Sequence, residues 1–141
     1  MDADFSHHPK YLPKFVELLK ENDFVIGSRY VKGGRCDYGI FRQILSRTAN
    51  GLVRILLGSP LKESTTSYRG IRTDTLKSLN LESIKSSGYS FFFEFVFWIH
   101  KSGAKMTEFP IFFEDRREGV SKISKKEIFK ALLVLLQLKG K

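Results

Sequence analysis

At 141 residues and 16.3 kDa, with 42% hydrophobic residues, the chain is long enough for one domain with a core and too short for two large ones. A formal net charge of +9 favours anionic partners, whether phosphorylated ligands, nucleic acid or an anionic membrane surface, without choosing among them. Cys36 is the only cysteine, which excludes an intrachain disulfide and a cysteine metal cluster and predicts a reducing, cytoplasmic setting.

The sequence begins MDADFSHHP, with Asp2 and Asp4 flanking one alanine. Side chains at i and i+2 share one side of an extended segment, so the two carboxylates can grip one divalent cation; an acidic terminus or a helix cap is the simpler alternative. From Pro9 a helix is predicted over 9–22, with Leu12, Phe15, Val16 and Leu19 on its apolar face. DFVIGS (23–28) reads as a buried strand and RYVKGGRCDYG (29–39) as a basic, glycine-rich loop. Apolar residues at helical spacing predict a second helix from Ile40 to Leu57, closed by Gly58-Ser59-Pro60.

STTSYRGIR (64–72) reads as a polar turn running into a short strand, and 74–86 as one or two short helical pieces. GYSFFFEFVFWIHKSG (88–103) is apolar on nearly every side, so as a helix it must be buried or covered by another layer. MTEFPIFFED (106–115) is extended, and Pro110 argues for an edge position or a bulge. A polar loop over 116–125 leads to KEIFKALLVLLQL (126–138), a terminal amphipathic helix with Ile128, Leu132, Leu135 and Leu138 beside Lys125, Lys126, Lys130 and Lys139. Such a helix can lie on an anionic membrane surface or pack on the sheet. FFFEFVFWI (91–99) and ALLVLLQL (131–138), the longest strongly apolar stretches, fall short of the roughly 20 residues of a membrane span, so the membrane contact expected is peripheral. Helices between apolar strands predict layered α/β construction, yet only about three strands are convincing, fewer than the usual sheet.

Five ordered stretches carry a resemblance: MDADFSHHP (1–9), FVIGSRY (24–30), FRQILSRTANGLVRILLG (41–58), STTSYRGI (64–71), and GYSFFFEF with FPIFFEDRREGVSK (88–95 and 109–122). Together they resemble the dolichyl-phosphate (polyprenyl-phosphate) mannose synthase branch of the family-2 glycosyltransferases. The resemblance implies a GT-A-like layered α/β domain in which the DAD-type motif follows a nucleotide-binding half. Met1 resembles the hydrophobic residue before that motif. Residues 1–141 are therefore expected to be a partial, acceptor-side catalytic domain, its N-terminal nucleotide-binding strands missing, ending in an amphipathic helix over 124–138.

The implied activity is inverting transfer of a sugar to dolichyl or polyprenyl phosphate, with mannose from GDP-mannose the leading donor and UDP-glucose an alternative. Asp2 and Asp4 would hold Mg²⁺ or Mn²⁺; Ser6 stands where glutamine is common and stays open, and His7 beside it is not assigned. Arg29, Arg42 with Ser46, and Arg116 with Ser121 and Lys122 match positions associated with the acceptor phosphate or donor diphosphate, Asp4, Arg29 and Arg116 being read as catalytic. Thr65, Thr66 and Arg69 are candidates to line the sugar or phosphate pocket, a plain turn being the alternative. That loop departs from the pattern Asp-x-Thr-Ser-Gly-Tyr/Phe-Arg, with Glu63 at the acidic place and Ser67 at the glycine. Glu94, inside an apolar run, needs a partner; holding an active-site arginine is preferred to sugar contact. A membrane-protein partner is possible and no nucleic acid is expected. The competing class is a non-catalytic basic module binding anionic lipid or nucleic acid, and a non-functional gene fragment is the third.

Overall fold

The computed structural model describes residue 1 and residues 6–114 and 124–141, with only the backbone at Lys125. Its sheet is built on β1 (Phe24–Ser28), which pairs antiparallel with β3 (Arg69–Ile71) and parallel with β4 (Met106–Pro110), in the order β3-β1-β4. All five residues of β1 are buried, because alternate side chains enter two different cores. Phe24 and Ile26 pack with Leu61, Phe95, Val96 and Ile99 on one face; Val25 packs with Phe15, Tyr68, Phe109 and Ile111 on the other. The layered α/β reading holds, and each fully buried apolar side chain of this kind contributes roughly 1.5–3 kcal/mol.

Pro110 takes an edge position: it closes β4 opposite Ser28 in the outer strand of the described sheet. The extended run then continues past Ile111 into β5 (Phe112–Phe113), which pairs in parallel with β2 (Arg35–Cys36) as a separate two-stranded sheet. Strand β2 corrects the expectation of a plain loop over 29–39. Two residues carry no periodicity of their own; they are extended because Arg35 N–H donates to Ile111 O (2.9 Å). Gly34 makes this return possible, since a Cβ there would lie 2.6 Å from Ser28 O.

The helix expected over 9–22 is shorter: a 3-10 turn at Pro9–Tyr11, then α1 at Leu12–Leu18. It stops because both the backbone and the side-chain amide of Asn22 donate to Leu18 O. Its inward face is also rotated. Phe15 is buried with Tyr11, Leu18 and Leu19 against it, while Leu12 and Val16 are exposed. The second long helix, α2, runs Ile40–Leu57 and ends at Gly58 in the left-handed region. Short α3 (Thr73–Ser78) and a 3-10 turn (Leu81–Ser83) fill 74–86.

Helix α4 (Tyr89–Lys101) is covered on several sides, with Phe93, Phe95, Val96 and Ile99 buried. The terminal helix α5 (Lys125–Lys139) starts at Ser124, whose Oγ accepts from Glu127 N–H. It packs on α4 and α2 rather than on the sheet. Its inward stripe is Ala131, Val134, Leu135 and Leu138; Leu135 and Leu138 match the face expected from the sequence, whereas Leu132 is exposed. A second apolar stripe, Phe129, Leu132, Leu133 and Leu136, is exposed. Among the described residues no helix is long and apolar enough to cross a membrane.

Candidate active site

A cleft of about 970 Å³ runs between the sheet end and the three long helices. Its walls differ in chemistry. The end of β1, the following loop, the start of α2 and the 65–67 turn supply Arg29, Tyr38, Arg42, Ser46, Thr65 and Thr66; α4 and α5 supply Phe91, Phe92, Ile128, Leu132 and Leu135, and Leu45 and Leu52 of α2 join them. Such a cavity suits a ligand with an anionic head and a hydrocarbon body.

Arg29 is the best-anchored polar side chain of the cleft. Its Nε donates to Glu63 Oε1 (2.7 Å), Nη2 reaches the same oxygen, and Nη1 donates to the Tyr38 hydroxyl (2.6 Å). Its backbone N–H donates to Glu63 Oε2 (2.7 Å). The rings of Tyr30, Tyr38 and Phe113 surround the guanidinium at 5.1 to 5.5 Å. Burial by itself would lower the Arg29 pKa, but the charge and hydrogen bonds of Glu63, with Tyr30 and Tyr38, hold it above its ordinary value. Burial raises the Tyr38 phenol; the Arg29 charge opposes this and the Tyr30 hydrogen bond reinforces it, leaving the hydroxyl protonated. The Arg42 guanidinium also lies over the Tyr38 ring, 4.9 Å from its centroid.

Asn50 ties α2 to the turn. Its Nδ2 donates to Ser46 O (2.9 Å) and Thr65 Oγ1 (3.0 Å), and its Oδ1 accepts from Ser64 N–H (2.6 Å). Thr66 is buried and its Oγ1 accepts from Tyr68 N–H (3.2 Å). Thus Arg29, Arg42, Ser46, Thr65 and Thr66 border one cavity.

Two expected site residues are placed differently. Arg69 does not border the cleft; it lies beneath the turn, with Nε donating to Thr66 O (3.0 Å), Nη2 reaching the same carbonyl, and Nη1 donating to Phe92 O (3.2 Å). Phe24, Phe92 and Phe95 face its guanidinium at 5.0 to 5.9 Å. Burial, partly offset by Glu63, pushes its pKa down to about 10. It is an internal clamp between the turn and α4. Among the described residues Glu94 pairs with Ser86, whose N–H donates to Oε2 (2.8 Å), and with Trp98, whose Nε1 approaches Oε1 (3.5 Å). Burial would raise the Glu94 pKa, yet hydrogen bonds from Ser86, Lys85 and Trp98 leave it lowered. Among the described residues, the carboxylate that holds a cleft arginine is that of Glu63.

Asp2, Asp4, Arg116, Ser121 and Lys122 lie outside the described residues. Ser6 and His7 are both buried; the His7 ring stacks on Tyr68 (4.6 Å), meets Phe113 edge-on (5.2 Å) and borders the cleft. Glu63, Asn50, Tyr38 and His7 are among the polar residues at or behind the cleft that sequence reasoning did not assign to the site. Asn50 had a usable signal, because it stands on the same α2 face as Val53 and Leu57. Glu63 had one in its place within the acidic motif, although its partner lies 34 residues away.

No protein-family model matches the chain. It is 40% identical over 125 residues to an undecaprenyl-phosphate mannosyltransferase of Micrococcus luteus, covering 88% of this chain and 51% of the relative. It is 37% identical over 134 residues to a polyprenol monophosphomannose synthase of Mycolicibacterium smegmatis, covering 94% of this chain and 51% of the relative. The chain therefore spans about half the length of these curated relatives, and over most of its own length its similarity lies with the polyprenyl-phosphate mannose synthases, the branch its motifs resemble.

Proposed function

We propose that the chain supplies the acceptor-side part of a GT-A-like catalytic domain that transfers mannose from GDP-mannose to polyprenyl phosphate with inversion. The observation that carries the reading is the cleft, where arginines and hydroxyls border the same cavity as the apolar walls of α2, α4 and α5. An acceptor phosphate is already ionised near neutral pH, so the protein has to orient a phosphate oxygen for attack on the sugar C1 rather than deprotonate a hydroxyl. Arg29 and Arg42 attract and orient the phosphate; Ser46, Thr65 and the buried Thr66 add polar contacts. The prenyl chain lies against Phe91, Leu132 and Leu135.

Asp2 and Asp4, and by resemblance Arg116, Ser121 and Lys122, complete the donor side. The carboxylates of Asp2 and Asp4 would suit Mg²⁺ or Mn²⁺, and such a cation, when bound, would offset the negative charge of the departing diphosphate. UDP-glucose is the donor alternative. The exposed stripe of α5 and exposed Ile40, Phe41 and Ile44 of α2 fit peripheral contact with the membrane that holds the lipid acceptor. The similarity to mannosyltransferases speaks against the basic binding module.

Calorimetric binding of farnesyl phosphate, farnesol and inorganic phosphate to the 141-residue chain tests the reading. Farnesyl phosphate is expected to bind about tenfold more tightly than either half-molecule; equal affinity for inorganic phosphate alone would sink the lipid-acceptor assignment. Transfer from radiolabelled GDP-mannose or UDP-glucose by the gene's whole product, with Mn²⁺, then separates the donors.

A further inference from the structure

Glu63 is the most costly side chain near the cleft to explain by stability alone. It is fully buried, and a buried ion pair generally stabilises no more than an apolar pair of the same shape. Its geometry is unusual for a mere counter-ion. One carboxylate oxygen takes the backbone N–H of Arg29, and the other takes Nε and Nη2 of the same residue. Main chain and guanidinium are therefore fixed together.

The Tyr38 hydroxyl takes one Nη1 hydrogen (2.6 Å). One N–H on each Nη thus stays available for a ligand among the described residues, in a side chain that borders the cleft. Three aromatic rings around the guanidinium leave it little rotational freedom. Ordering a flexible arginine ordinarily opposes ligand binding by about 0.5–1.5 kcal/mol; here that ordering precedes the ligand. We infer that Glu63 is a positioning residue for the anionic head of the acceptor: by clamping Arg29 at both backbone and side chain, it presents the outer edge of the guanidinium to a phosphate in the cleft.

The inference rests on the lipid-phosphate reading. It also makes a prediction that runs against simple electrostatics, because Glu63→Gln removes one negative charge near the phosphate. A counter-ion role predicts tighter binding of the anion in that variant, whereas a positioning role predicts weaker binding, since the amide cannot accept from all three donors of Arg29.

The experiment compares farnesyl phosphate and farnesol binding in wild type, Glu63→Gln and Glu63→Asp, with thermal unfolding of each. Glu63→Gln is expected to lose about tenfold in farnesyl phosphate affinity and to keep farnesol affinity within about twofold; Glu63→Asp, which retains the charge on a shorter arm, loses about threefold. A general folding defect would weaken both ligands together, so the ratio of the two affinities is the deciding quantity. Unchanged or tighter farnesyl phosphate binding in Glu63→Gln would overturn the inference and leave the lipid-phosphate reading standing. Failure of wild type to distinguish farnesyl phosphate from farnesol would overturn both. If Glu63→Gln does not fold, Glu63→Asp decides by the same ratio: a selective loss supports the inference and an unchanged ratio overturns it.

Discussion

The two walls of the cleft are built on different physical terms. On the polar wall, few contacts each have a fixed direction: Glu63 with Arg29 and Asn50 with Ser64 and Thr65 join the end of β1, α2 and the turn after α2 by hydrogen bonds of 2.6 to 3.0 Å. On the apolar wall, Val53, Leu57, Phe93, Leu135 and Leu138 hold α2, α4 and α5 together by burial, which is non-directional and tolerates repacking. The first arrangement fixes the positions and directions of its own side chains. The second defines only a hydrocarbon environment, which suits a prenyl chain of repeating units.

The largest effect should come from breaking one partner of the buried pair. Glu63→Ala leaves Arg29 without its carboxylate and should cost about 3–5 kcal/mol in urea unfolding. The double variant Arg29→Met/Glu63→Leu should recover most of that stability while still failing to bind farnesyl phosphate selectively. Recovery of both stability and phosphate selectivity would show that the polar wall is structural only.

Leu135→Ala tests the other wall. Leu135 is buried in the α2/α4/α5 cluster, so truncation should cost about 2–5 kcal/mol. Its binding signature should be the reverse of the polar wall's: farnesol and farnesyl phosphate weaken together, because both use the same hydrocarbon contacts. Loss of farnesyl phosphate alone would contradict the division between the walls.

A smaller effect, dependent on pH, is expected at Glu94, which packs beneath the cleft rim through Ser86. Its folded pKa lies below the ordinary carboxylate value, so the stability it contributes is fully present above the unfolded pKa and is lost as pH falls through the folded one. Wild type and Glu94→Gln should therefore differ most near neutrality and converge in acid, as measured by urea unfolding across that range. A constant difference would remove Glu94 from the acid response.

Much of the scaffold was legible in the chain because its signals are local. Helix α2 is legible with its observed bounds, since a long periodic run ends at Gly58-Ser59-Pro60; the buried β1 run is equally plain, and Pro110 narrows its place to an edge or a bulge, of which the described sheet shows the edge. Short elements were not. The seven residues of α1 present too few turns for periodicity to choose between the Leu12/Val16 and Tyr11/Phe15/Leu18 faces, and tertiary packing chose the second. At the site, residue type identified charged groups but not their side of the turn. Arg69 and Arg29 look alike in sequence, yet one clamps backbone carbonyls from below and the other borders the cleft. Partners far apart in sequence, Glu63 and Arg29 above all, depend on the register of β1 with the rest of the sheet, which no single motif contains.

The smallest change in stability, and the sharpest test of what lies outside the apolar wall, concerns α5. Phe129, Leu132, Leu133 and Leu136 follow the i, i+3, i+4, i+7 spacing of one helical face, and they remain exposed although Leu135 and Leu138 on the adjoining face are buried. Phe129 and Leu136, 65% and 62% exposed, do not border the cleft. Phe129→Gln/Leu136→Gln should therefore change folding stability by no more than about 0.5 kcal/mol per residue and leave farnesyl phosphate binding in solution intact. If this face rests on the membrane that supplies the acceptor, the same variant should sediment roughly tenfold less with phosphatidylcholine–phosphatidylglycerol vesicles. Unchanged sedimentation would assign the stripe to another contact and confine the role of α5 to its inner face, where the helix closes the cleft.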